Sequence, residues 1–226
     1  MKRILSLIAI VSLMFAGCRW YGPVERQPNV IPCNVVPDEV LGSHYTAADF
    51  QIWSMADDEM ARVVSSRAVM EKGISSEMSG WRVSFADADT AEVGAIAREL
   101  CASHRNGDTM CCYGWAPGID SGKSTIVIVC GTKPLIDGYT VADAFVEKMW
   151  EAPAVMFEFA KEHHSDWQRI TRDNIGRYLP IMLGNRMLAA PMVNAEIVGG
   201  KCNLTGLSEE ECCALAAILT RSVSRE

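Results

Sequence analysis

Basic residues are scarce in this chain. Of its 226 residues, 21 are Lys or Arg against 28 Asp or Glu, a net charge of −7. No local run of positive charge compensates, which removes the electrostatic basis for binding nucleic acid. Histidine occurs only as His44, His104, His163 and His164. The adjacent pair points in two directions from a predicted helix and cannot chelate one ion as an i, i+4 pair does. C-x-x-C is missing, as is any Cys/His spacing of a zinc site, so no metal is expected. No serine sits in a G-x-S-x-G elbow and no cysteine has an evident base partner. The stretch Gly118-Ile119-Asp120-Ser121-Gly122-Lys123-Ser124 has three residues between its glycines, where a phosphate loop needs four. It also leads into the strand-like run 125–130 rather than a helix, so a hairpin turn accounts for it and nucleotide binding is excluded. Nothing here argues for an enzyme, and neither catalytic residues nor a cofactor are expected. Long apolar runs are missing too, except one at the N-terminus, which excludes a polytopic membrane protein.

That one run is informative. Lys2 and Arg3 precede an apolar stretch over 4–16, closed by Gly17 and Cys18. It is short for a membrane span and has the flanks of a secretory signal. The run Leu13-Met14-Phe15-Ala16-Gly17-Cys18 resembles a bacterial lipobox, with Phe15 where Leu is common. The resemblance implies cleavage after residue 17, lipidation of Cys18 and a membrane-tethered mature chain, each buried methylene contributing about 0.8 kcal/mol. Removing 1–17 leaves 19 basic against 28 acidic residues, a net −9. Arg19, rather than the aspartate associated with inner-membrane retention, points to the outer membrane, facing the periplasm or the cell surface.

Residues 18–46 carry Pro23, Pro28, Pro32 and Pro37 with no sustained period and read as a linker between lipid and body. An N-terminal α/β segment over 47–123 follows, then an α+β domain over 124–226. Periodicity predicts helices over 58–70 and 90–103, strands over 81–85, 109–115 and 125–130, and a turn at 118–122. Thr140 with Asp143 reads as a capping box opening a helix of about ten residues. Strands are expected over 154–159, 178–183, 186–190, 195–198 and 202–205, with a helix over 161–171. Ser208 and Glu211 form a second capping box for a last helix whose buried stripe is Cys212, Leu215, Ala216 and Leu219. Cys213 falls on the flank of that stripe, where a thiol reagent should reach it before Cys212. The remaining cysteines, Cys33, Cys101, Cys111, Cys112, Cys130 and Cys202, read mostly as small buried hydrophobes, with at most one or two disulfides expected. The fold class is α+β, with helices packed on a largely antiparallel sheet.

The order of signals over 134–219 resembles the head part of the first periplasmic domain of SecD, the export-motor accessory of the Sec translocon. The matching positions are Leu135-Ile136-Asp137-Gly138, Val141-Ala142-Asp143-Ala144, the stretch 155–159, Trp167, Ile170-Thr171, Asn174, Gly176, the stretch 179–183 and Ala190-Pro191. They continue in Ile197-Val198-Gly199-Gly200-Lys201-Cys202-Asn203-Leu204-Thr205-Gly206 and Ser208-Glu209-Glu210. Gly138, Gly199, Gly200 and Gly206 fall at predicted turns, where glycine reaches positive φ most easily. Pro180 stands where the family usually has Ala, Gly184 replaces an acidic turn residue, and Cys202 stands where a small residue is usual. Residues 19–120 match the family poorly.

The resemblance implies a non-catalytic, lipid-anchored envelope protein that assists export or holds translocated polypeptide, with Sec translocon components or unfolded exported chains as partners. Family members continue into a proton-coupled membrane bundle; this chain is expected to work without one. The alternative is an envelope scaffold lipoprotein with no export role, since fold does not fix function. Pro180 removes a ladder donor, so its strand is expected at a sheet edge, where an extended chain could add.

Overall fold

The computed structural model describes residues 29–55, 58–103, 110–117, 122–131 and 134–221. Cys18, the signal-like segment 1–17, the linker up to residue 28, His104 and the turn residues 118–121 lie outside them. The elements in chain order are α1 (Pro37–Leu41), β1 (Phe50–Ile52), α2 (Asp58–Lys72), β2 (Ser76–Ser79), β3 (Arg82–Ala86) and α3 (Thr90–Ser103). Then come β4 (Met110–Pro117), β5 (Lys123–Gly131), β6 (Ile136–Asp137), β7 (Val141–Met149), β8 (Ala152–Phe159) and α4 (His164–Asp173). The chain closes with β9 (Ile181–Leu183), β10 (Arg186–Ala189), β11 (Lys201–Thr205) and α5 (Glu209–Arg221). The α+β class holds, but on two sheets: an eight-stranded one ordered β2-β3-β5-β4-β10-β9-β1-β6 and a three-stranded one ordered β11-β8-β7. Among the described residues, the named strands pair antiparallel except β10 with β4, which meet in parallel at Arg186 and Trp115.

The chain route differs from the expected two consecutive segments. β1 pairs directly with β6, Ile52 opposite Ile136, although residues 58–131 lie between them. That intervening stretch builds its own core from Met60, Val64 and Ala68 of α2, Val83 and Phe85 of β3, and Val93, Ile96 and Ala97 of α3. Residues 29–52 and 136–219 share the other, larger core. The α/β unit is therefore an insertion into a body made from both flanks of it, and β5 belongs to the inserted unit through its ladders with β3 and β4. Trp81 of the insertion packs on Tyr178 of the body, ring centroids 5.4 Å apart.

Four expectations are corrected here. The segment after Thr140 is strand β7, not a helix. Thr140 closes a 3-10 turn, its hydroxyl donating to the Asp137 carbonyl, and Asp143 lies exposed on β7. A register shift between Val141 and Asp143 turns both Val141 and Ala144 inward, so a strand acquires the i, i+3 spacing of a helix. The linker, second, ends early. Val30 bridges Glu147, the Ile31 amide donates to the Val146 carbonyl at 2.9 Å, and the Lys148 amide to the Asn29 carbonyl at 3.0 Å, so 29–31 lies along β7. Third, Cys213 is buried and bonded to Cys33, because α1 covers the flank of α5 that a lone helix would leave open. The strand expected over 195–198 is irregular backbone, whose Ile197 amide donates to a side chain rather than to a neighbouring strand.

The capping box of α5 forms as expected: the Glu211 amide donates to the Ser208 hydroxyl at 3.1 Å, and the Ser208 amide to the Glu211 carboxylate at 2.9 Å. The same carboxylate accepts from the Arg186 guanidinium, which ties α5 to the β9–β10 hairpin. Burial opposes ionisation of Glu211, but the Ser208 and Arg186 hydrogen bonds outweigh it and hold the carboxyl below its ordinary range. A carboxylate so depressed stabilises the fold above its unfolded pKa and loses that contribution as pH falls through the folded value. Glu211→Gln, which keeps the cap acceptor, should therefore cost about 1 kcal/mol at neutral pH, and that cost should shrink as pH falls through the folded value, by urea unfolding across the acid range.

The disulfide closes a loop with a sequence separation of 180 residues. Cys33→Ser should lower unfolding free energy by about 2–4 kcal/mol. Reductant should bring the wild type down to the variant and leave the variant unchanged, and Cys213 should resist maleimide until reduced.

Candidate functional site

The free side of β11 is the feature of interest. In this antiparallel ladder the Phe159 amide donates to the Gly200 carbonyl at 3.0 Å, and Cys202 and Leu204 stand opposite Phe157 and Val155. Alternation then turns the amides and carbonyls of Lys201, Asn203 and Thr205 away from β8. No strand covers them among the described residues, since β11 ends its sheet. Pro180, by contrast, precedes β9, and β9 is paired on both sides, by β1 and β10. The Pro180 carbonyl is occupied by the Trp53 amide at 3.0 Å. The expected edge beside Pro180 does not exist; a proline just ahead of a strand costs that strand no ladder donor.

Beside the open edge lies an apolar cleft between β11, α4 and the segment 191–197, lined by Trp167, Thr171, Pro191, Ile197, Cys202 and Asn203 among others. It encloses about 30 Å³, room for ~2 water molecules. Small-molecule sites run to about 300–1,000 Å³, so this cleft is far smaller than a typical cofactor site. Met192 lines the cleft and is 40% exposed, and Ile175, bridged to Val193, is 52% exposed, so the rim is apolar too. The Trp167 indole N–H is buried and lies toward the Cys202 thiol without making a regular hydrogen bond to it. Burial holds the Cys202 thiol far above its ordinary range, which the Trp167 N–H offsets only in part. Cys212 is pushed up to about 11, first by burial and then by Glu211 and Glu209. Neither thiol offers a thiolate nucleophile at neutral pH.

The family-motif residues do not converge on one reactive point. They frame the cleft and its edge. Thr171 is fully buried: its hydroxyl donates to α4 carbonyls and accepts the Ile197 amide at 3.0 Å, which fixes the irregular segment 195–198 against α4. Gln168 reinforces that seam by donating to Glu196. Asn174 ends α4, its amide side chain donating to the Ile170 carbonyl at 2.8 Å, and the Gly176 amide donates to the Val193 carbonyl at 2.8 Å. The Pro191 carbonyl accepts the Leu179 amide at 3.0 Å. Gly199 and Gly206 bracket β11 with φ of 96° and 94°, as expected of turns. Gly138 and Gly200 serve a different purpose. A methyl group would strike the Ala47 carbonyl oxygen at the first and the His164 ring at the second, so space, not positive φ, requires them. Asp143 stands apart on β7 and touches none of this. Trp167, Asn203 and Met192 matter more to the cleft than their sequence signals suggested. The one available signal was the alternation of Cys202 and Leu204 against Lys201, Asn203 and Thr205.

Residues 116–222 match the family model described as SecDF, P1 head subdomain. The C-terminal half is SecD-head-like. The chain is 36% identical over 92 residues to the protein translocase subunit SecDF of Thermus thermophilus, covering 40% of this chain and 12% of that protein. To the SecD subunit of Leptotrichia buccalis it is 39% identical over 87 residues, 38% of this chain and 22% of that one. The chain thus spans only a small part of the length of these curated relatives. A solved structure described as a membrane component SecDF that enhances protein export overlaps 76% of this chain and 92% of its own, at 21% identity and a TM-score of 0.39. Among the described residues of this protein, no helix is long and apolar enough to cross a membrane.

Thr171→Val should test the frame of this SecD-like head. It removes the acceptor of a buried amide while keeping the volume, so stability should fall by about 1–3 kcal/mol. Hydrogen exchange at the Ile197 amide should accelerate more than at the β7–β8 ladder.

Proposed function

We propose that this protein is a non-catalytic, lipid-anchored envelope factor that assists protein export by holding translocated polypeptide at the open edge of β11. The observation that carries the reading is the unpaired row at Lys201, Asn203 and Thr205, beside an apolar cleft and within the SecD-head-like segment. An extended chain added there gains backbone hydrogen bonds of about 1 kcal/mol each and places alternate side chains against the Met192 and Ile175 rim. Three outward residues limit the gain, so affinity should be about micromolar or weaker. Tethering through Cys18 raises the local concentration of the two partners at one surface and makes weak holding sufficient. Metal and nucleotide have no part in this reading.

The other long open edge, β2, presents Ser76, Glu77, Met78 and Ser79, with Glu77 paired to Lys123 at 3.3 Å. A charge within an edge discourages strand addition, whereas the charge of β11, Lys201, stands at its first residue. A photo-crosslinker at Asn203 should therefore capture a secreted chain during its export, and one at Glu77 should not. With the crosslinker kept at Asn203, Thr205→Pro removes an outward donor without touching the β8 ladder, and should abolish the capture with the fold intact. Capture at neither edge would remove the holding function and leave the envelope scaffold. Equal capture at both would reduce β11 to an ordinary exposed edge.

A further inference from the structure

The turn between β7 and β8 carries an unusual residue. Met149 pairs with Ala152, leaving Trp150 and Glu151 as a two-residue turn with φ of 46° and 70°. Both central positions are left-handed, as a type I′ hairpin requires, and such turns favour Asn-Gly or Asp-Gly. A bulky aromatic is a genuine outlier in this region, and outliers of this kind point to a function that keeps them. The Trp150 side chain is also 79% exposed. It packs on nothing that would repay its conformation inside the protein.

The place where the N-terminal chain enters the body gives the tip a partner. The Asn29 carbonyl is bonded to the amide of Lys148, two residues before Trp150. Only residues 19–28 separate Asn29 from Cys18. Eleven residue steps reach about 36–40 Å fully extended and about 17–20 Å on average for a flexible chain. The hairpin tip is thus held close to whatever surface Cys18 occupies. Lys148 pairs with Glu151 at 2.6 Å, so the tip meets that surface with its flanking charges mutually neutralised. An exposed indole on a neutral tip has the amphipathic chemistry of the membrane interface, apolar ring below and N–H toward water.

From these placements we infer that the β7–β8 tip, led by Trp150, enters the headgroup region of the membrane that carries the lipid anchor and orients the body on it. The inference rests on the lipid-anchor reading of Cys18. The tether confines the body near the leaflet, and Trp150 fixes which side faces it.

The test uses the full chain, purified with its lipid, on phosphatidylcholine vesicles brominated along their acyl chains. Trp20 is replaced by Phe throughout, because it lies two residues from the anchor. The protein should float with the vesicles, and bromine should quench its tryptophan emission. Trp150→Asn, which suits the turn and should melt no lower than the parent, should still float and lose most of that quenching. Flotation with no quenching, or quenching unchanged by Trp150→Asn, would overturn the tip contact while leaving the anchor in place. Failure of the parent to float, with Cys18→Ser behaving identically, would overturn both.

Discussion

Phe157 stands where the two sheets meet. Its ring packs edge-on against Phe50 of β1 and against Phe159 of its own strand, each at 5.6 Å, and Phe159 in turn lies 5.1 Å from Trp167 of α4. Edge-to-face pairs contribute about 0.5–1.5 kcal/mol each beyond their buried area. This relay fixes β8 against the larger sheet on one side and seats α4 on the other. The position of α4 then sets Thr171, Thr171 sets Ile197, and the segment between them forms one wall of the cleft beside β11. A family of glycines, a threonine and an asparagine look unrelated in sequence, but each preserves the approach of one backbone to another around that relay.

Local structure was legible wherever one signal dominated. Helix α3 runs over the residues its apolar spacing indicates, and the Ser208–Glu211 box opens α5 in both of its hydrogen bonds. The errors came where a distant segment decided the outcome. Cys213 looks exposed on an isolated helix, and only the return of residues 33–41 buries it. Val141 and Ala144 mimic a helical face because a bulge displaces the period of a strand. Pro180 suggests an edge, yet sits one residue ahead of a strand enclosed by two others. No local pattern announces that β1 and β6 are neighbours across an inserted unit, because the pairing is only two residues long. The candidate site was half visible: the family-motif residues surround it, while the open edge depends on sheet order, which no spacing encodes.

Among the described residues, the inserted unit and the body meet at the Trp81–Tyr178 contact, in a small cluster around Trp53 and Met182, and through the β10–β4 pairing. Each has its own core. The family match over residues 116–222 nevertheless reaches into the insertion, since it takes in β5 as well as the flank that carries β6 to α5.

The three-stranded sheet also has a mechanical meaning. Its two outer strands are β11 and β7, and the chain leading toward the N-terminus lies along the outer side of β7 at residues 29–31. A load applied along β11 would pass tension through the β11–β8 and β8–β7 ladders to that strip. Hydrogen bonds loaded along the strands share the force in shear, rather than opening one at a time as in peeling. The Cys33–Cys213 bond provides a covalent shortcut from the strip to α5, so that tension reaching the helix from the C-terminal side bypasses the whole interior. A sheet three strands wide thus shares strain between its two outer margins, β11 on one side and the strip along β7 on the other.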